Sequence, residues 1–177
     1  MKKFVTAVLA LAMLLSLTAC NGLSFKPGGG SSSDDKEGYI GDTLSTYWFD
    51  FTVDDAYSCS EYSGYTAGSG KQLVVVSMTL KNTWGQSVDM WDSDFPLLWG
   101  GEDDGDLDYP IAPVSDEQFP QEYSLGINQS KSGVLVYEAP ADYRDFSLAF
   151  LEVFEDEDNE EGRDGDLYFV DFTAEKR

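Results

Sequence analysis

The chain has no histidine and only two cysteines, and its 11 Lys and Arg face 33 Asp and Glu. Each shortage closes a class of function. Without histidine there is no His general acid or base, no Ser-His or Cys-His nucleophile pair and no His-ligated metal. Two cysteines cannot build a Cys-rich zinc site or a disulfide-stapled mini-fold. The formal charge is −22. Such a chain repels nucleic acid and anionic lipid, because phosphate binding needs clustered Lys or Arg. A helical period is also missing: beyond the first twenty residues no ten-residue stretch repeats its apolar residues every 3.6 positions. What is there is 42% apolar and 14% aromatic residues in 177, enough for one packed domain with segments at its ends.

Residues 1–19 read as a secretory signal. Lys2 and Lys3 precede an apolar stretch from Phe4 to Leu17, interrupted only by Thr6 and Ser16. It is short for a bilayer-spanning helix, which needs about 20 residues. Leu17-Thr18-Ala19-Cys20 then matches the bacterial lipobox, in which the cysteine is acylated and becomes the mature N-terminus. The plain alternative is an ordinary signal followed by a chance cysteine, which the order, the spacing and the polar residues after Cys20 disfavour. A lipid on Cys20, palmitate among its acyl chains, places the chain on the extracytoplasmic face of the cell membrane. Residues 20–38, with Gly28-Gly29-Gly30-Ser31-Ser32-Ser33 and Asp34-Asp35, have tether composition. As a Gly-rich coil they reach about 20–25 Å.

Residues 39–177 follow a period of two. Tyr47, Phe49, Phe51 and Val53 alternate with Trp48, Asp50, Thr52 and Asp54, and Leu73 to Asn82 places Val74, Val76, Met78 and Leu80 on one face. Thr83 to Gln86 reads as a turn. Strands are expected at Ser87–Trp91, Phe95–Trp99, Leu107–Ile111, Gly133–Ala139, Phe146–Phe154 and Leu167–Thr173, with Pro140 ending one of them. One helical turn is expected within Ser115–Tyr123. About eight short strands with turns between them predict an all-β, antiparallel β-sandwich.

In this region the chain resembles the telokin-like, immunoglobulin-fold domain of unknown function that recurs in Gram-positive bacterial lipoproteins. That family is related in fold to a secreted immunoprotective antigen. The resemblance spans about residues 41–154. It is carried by Gly41-Asp42-Thr43, by Leu73 to Val76 with Asn82-Thr83, by Ser93-Asp94-Phe95 with Leu97, and by Gly126 with Lys131 to Pro140. Tyr137 stands where the family usually has Phe, and Leu125 where Pro is frequent. The resemblance implies an immunoglobulin-like sandwich in a membrane-anchored lipoprotein and brings no catalytic residues.

Two acidic runs stand out. Asp104, Asp106 and Asp108 lie in a predicted hairpin tip, and Asp156, Asp158 and Glu160 have the 1-3-5 spacing of an EF-hand. Carboxylates at such spacing suit weak Ca²⁺ binding, although Glu161 stands where the EF-hand requires glycine. The other reading is solvated, mutually repelling loops. Tyr62 and Trp84, aromatics in predicted loops, are candidates for stacking on a sugar or peptide, against ordinary loop anchoring. Cys59 reads as a small buried hydrophobe, with an intermolecular disulfide or reactive thiol as the other use. Gly68-Ser69-Gly70-Lys71 fails as a phosphate loop, because Gln72 follows and no helix does. Paired carboxylates permit a glycosidase in principle, but nothing singles out two among 33 acids. The expectation is a non-enzymatic binding or display domain needing no cofactor, its partner an extracytoplasmic protein or glycan.

Overall fold

The computed structural model describes residues 35–100, 105–156 and 159–177, without side-chain placement for 155–162. Cys20 and Asp104 therefore lie outside the described residues, as does Asp158. Fourteen strands follow in order. The first seven are β1 (Lys36–Tyr39), β2 (Thr43–Ser45), β3 (Phe49–Cys59), β4 (Glu61–Tyr62), β5 (Tyr65–Thr66), β6 (Lys71–Asn82) and β7 (Val88–Trp91). The rest are β8 (Leu97–Trp99), β9 (Asp106–Asp108), β10 (Glu122–Leu125), β11 (Ser130–Pro140), β12 (Asp145–Asp156), β13 (Asn159–Thr173) and β14 (Glu175–Lys176). The two large sheets run β1-β13-β12-β8-β9 and β11-β6-β3-β14, the second with β2 also on β3, and β10-β7 and β4-β5 form two-stranded sheets. All the long pairings are antiparallel; only the terminal strands β1 and β14 pair in parallel.

The sheets close on an aromatic core. Phe49 and Phe51 of one sheet meet Phe150 at 5.0 and 6.2 Å, and Phe51 meets Tyr168 at 6.1 Å. Alternation puts them there. On β12 the even positions Phe146, Leu148 and Phe150 point inward, opposite Phe172, Val170 and Tyr168 of β13. Both faces of β6 are covered, so Leu73 to Val76 are all buried, and polar residues reappear only from Ser77 onward. Beneath its outer face Cys59, Leu73, Val75 and Val136 form a second small core with Tyr57, Tyr62 and Tyr65. Burial there pushes the Cys59 thiol up, and the side chain packs as a small hydrophobe. Asn82, fully buried, donates to the Gln86 and Leu125 carbonyls at 2.7 and 2.8 Å and accepts from the Trp84 N–H at 2.7 Å. It fixes the turn after β6.

Several expectations are corrected. The tether does not extend to residue 38: Lys36 to Tyr39 pair with Tyr168 to Asp171, so a domain cut at Tyr39 loses this strand. Lys36 is its anchor, 2.6 Å from Asp166. Within Ser115–Tyr123 one i→i+3 turn closes, the Gln118 N–H donating to the Ser115 carbonyl at 3.3 Å, but no helix follows it. The Gln118 side chain accepts the Val114 and Ser115 N–H groups, and Phe119 and Glu117 bond Val134 of β11. The one 3₁₀ helix among the described residues is Asp92–Asp94. The strand expected at Leu107–Ile111 is Asp106–Asp108 instead. The described part of the second acidic run is strand: β12 reaches Asp156 and β13 begins at Asn159, paired opposite it.

Candidate functional site

The ribbon's base is organised by a residue that breaks the pattern of its own strand. Continuing the inward positions of β12 past Phe150 leads to Glu152, a carboxylate only 4% exposed. A buried carboxylate is tolerated when donors fill its lone pairs. Glu152 Oε1 accepts from the Tyr47 N–H at 2.7 Å and the Tyr168 O–H at 3.0 Å, and Oε2 from the Asp166 N–H at 3.2 Å. The Tyr168 oxygen accepts in turn from Lys36 Nζ at 3.2 Å. The hydrogen bond to Asp166, then that to Tyr168, holds the Lys36 ammonium well above its usual range. Burial pushes the Tyr168 phenol up, against the pull of Lys36. Gly165 completes the base. A Cβ there would fall 2.5 Å from the Phe154 ring and 2.8 Å from Glu152, so only glycine lets β13 pass.

Outward from Glu152 the same face is aromatic. Phe154 packs edge-on against Tyr47 at 5.4 Å and at a tilt against Trp48 at 5.0 Å. The Arg163 guanidinium lies 5.4 Å over the Phe154 ring. A turn closed by Thr46, whose Oγ1 donates to the Phe49 carbonyl at 2.8 Å, presents Tyr47 with 60% of its surface in solvent. The Trp48 carbonyl accepts from the Thr83 and Trp84 N–H groups at 3.1 and 3.0 Å. Tyr47, Trp48, Trp84 and Phe154 thus share one end of the sandwich, where the acidic ribbon projects.

The candidates from sequence do not converge. Trp84 lies at this end, but Tyr62 lies almost the full length of β3 away. There its hydroxyl is 3.2 Å from Ser115 Oγ, and its ring covers the small core around Cys59. Asp106 and Asp108 flank β8, whose Trp99 packs on Phe146. Asp156 is ten positions further along β12, about 30 Å at the usual strand rise. The two acidic runs therefore belong to opposite ends. Among the described residues no three acids or cysteines gather as metal ligands.

A separate acidic pair sits at the 3₁₀ turn. Burial pushes Asp94 up to about 6, aided by the charge of Asp92, while its Oδ2 accepts the Trp91 N–H at 2.8 Å. Burial also raises Asp92. A folded-state value above the unfolded one means that the native state holds the extra proton, so stability falls as pH rises from about 4 to about 6. Asp94→Asn keeps the acceptor and loses the charge. It should flatten that slope and stabilise the domain by about 1–3 kcal/mol at neutral pH, read from thermal melts across pH.

No protein-family model matches the chain, and no curated protein matches it in sequence. Solved structures do. The Bacillus subtilis protein ycdA, described as a candidate lipoprotein, superposes with a TM-score of 0.55 at 16% identity, over 75% of this chain and 38% of ycdA. An uncharacterized β-sandwich protein of Clostridium difficile gives 0.50 at 14% identity, over 83% of this chain and 100% of its own. The yjhA protein of B. subtilis gives 0.51 at 14%, over 79% and 99%. The chain is a β-sandwich. At these identities the likeness carries the fold, and the chain spans well under half of ycdA. The Glu152 network, which sequence reasoning passed over, had a legible signal: an acid at an inward position of an apolar strand.

Proposed function

We propose that the protein is a lipoprotein anchored through acylated Cys20 at the extracytoplasmic face of the cell membrane, its sandwich a non-enzymatic binding domain. The observation that carries this is Leu17-Thr18-Ala19-Cys20 directly after a basic, then apolar, leader. The strand beginning at Lys36 supports it, because a Gly/Ser-rich stretch separates that strand from Cys20. The lipoprotein description of ycdA and the telokin-like resemblance agree with it. No helix among the described residues is long and apolar enough to cross a membrane. The binding role is supported by exposed Tyr47 and the half-buried Trp48, Trp84 and Phe154 that share the ribbon end with it. The non-enzymatic role is supported by carboxylates committed to structure: Glu152 to three donors, Asp55 to Arg177, and Glu138 to the Gly68 N–H. Partners are an extracytoplasmic protein or glycan and, through the lipid, the membrane. Weak Ca²⁺ binding by the acidic runs is tested by melts in Ca²⁺, Mg²⁺ and NaCl at matched ionic strength.

Cys20→Ala should release the protein from membranes or leave its precursor uncleaved, as read by detergent partitioning. A Cys20→Ala protein that is cleaved and still partitions with detergent would refute the anchor.

A further inference from the structure

We propose that the outer edge of β12 beyond Ala149 docks an extended, Lys/Arg-rich segment of a partner protein. The Ala149 N–H reaches the Pro96 carbonyl at 3.0 Å, and β8 pairs only with Ser147 and Leu148. Past that point no described residue gives β12 a backbone hydrogen bond on the side away from β13. An unpaired edge is a template for one more strand. Side chains on both faces are ready for it. Phe154 lies beside Trp48 and exposed Tyr47 on the inner face, and Val153 on the other is 46% exposed.

Charge selects the occupant. Glu155 to Asp166 holds eight acids and one arginine, so a second copy of this ribbon is repelled and a basic strand attracted. The chain already shows how a cation is received here. Arg163 lies over the Phe154 ring, and Lys36 sits 5.0 Å over the Tyr168 ring and 2.6 Å from Asp166. The Tyr47 ring offers a partner's Lys or Arg the same kind of aromatic contact beside carboxylates.

The inference rests on the binding reading and not on the lipid. The probe is a short, end-blocked peptide alternating Lys and Val, titrated into the full chain in detergent at about physiological ionic strength. Tyr47→Ala, at a side chain with no hydrogen bond among the described residues, should weaken binding about tenfold, and Val153→Lys similarly. Methylating alternate backbone nitrogens of the probe should weaken it as much, since strand addition needs those donors. A Glu-Val peptide should not bind. No binding of the Lys-Val probe overturns the proposal. Binding unchanged by methylation and by both substitutions removes this edge as the site and leaves a binding domain that works elsewhere.

Discussion

Glu152→Ala should destabilise the domain by about 3–5 kcal/mol, lowering the melting temperature by roughly 10–20 °C. The substitution removes no net attraction between opposite charges in contact with Glu152. It strips the acceptors from the Tyr47 N–H, the Tyr168 O–H and the Asp166 N–H, in a place where water has little access. Each orphaned donor costs about 1–3 kcal/mol, offset where local opening lets solvent in. Glu152→Gln keeps one acceptor oxygen but turns an amide donor toward other donors, so its loss should be intermediate. Because the Tyr47 N–H is one of the three donors, the variant should also loosen the Thr46–Trp48 turn and weaken the aromatic contacts with Phe154. A Glu152→Ala melt within about 1 kcal/mol of the original would mean that water replaces the carboxylate freely.

The second large effect is expected in the core. Phe51 is 1% exposed and touches four rings: Phe49 at 6.3 Å, Phe95 at 5.6 Å, Phe150 at 6.2 Å and Tyr168 at 6.1 Å. Rings held at these tilted and edge-to-face angles cannot slide together to fill a hole, so Phe51→Ala should cost the upper range for such truncations, about 3–5 kcal/mol. Phe51→Leu, which keeps most of the volume, should cost about 1–1.5 kcal/mol. Tyr47→Ala, two turns of the pleat away but in solvent, should cost under about 1 kcal/mol. Denaturant melts of the three rank the positions, and a Phe51→Ala cost below that of Tyr47→Ala would contradict the described packing.

The same alternation explains what sequence made legible and what it hid. The period of two around Phe49, Phe51 and Val53 marked a strand whose inner face is now seen. A bulge between Val53 and Asp55 then shifts the parity, so that Ala56 and Ser58 turn inward. The shift concealed the strand's continuation to Cys59. In β12 the parity holds through Phe150 and points to Glu152. Charge suggested solvent, while position dictated burial, and position won because three donors were waiting. The acidic run after Phe154 read as a loop by composition, since carboxylates are poor strand formers. Its described residues are strand because the β12–β13 hairpin that begins in the core continues outward, through register shifts between Leu151 and Val153 and between Phe154 and Asp156. Lys36 reads as tether in the sequence because acidic and small residues surround it. An edge strand held by backbone pairing and one ion pair leaves little hydrophobic trace.

Intact mass of the mature protein recovered from bacterial membranes tests the central claim most directly. The account predicts a chain beginning at Cys20 and heavier than its sequence by a diacylglyceryl group, with or without a further acyl chain, and lacking that increment in Cys20→Ala. A mature chain that begins elsewhere, or begins at Cys20 with the bare polypeptide mass, would contradict it.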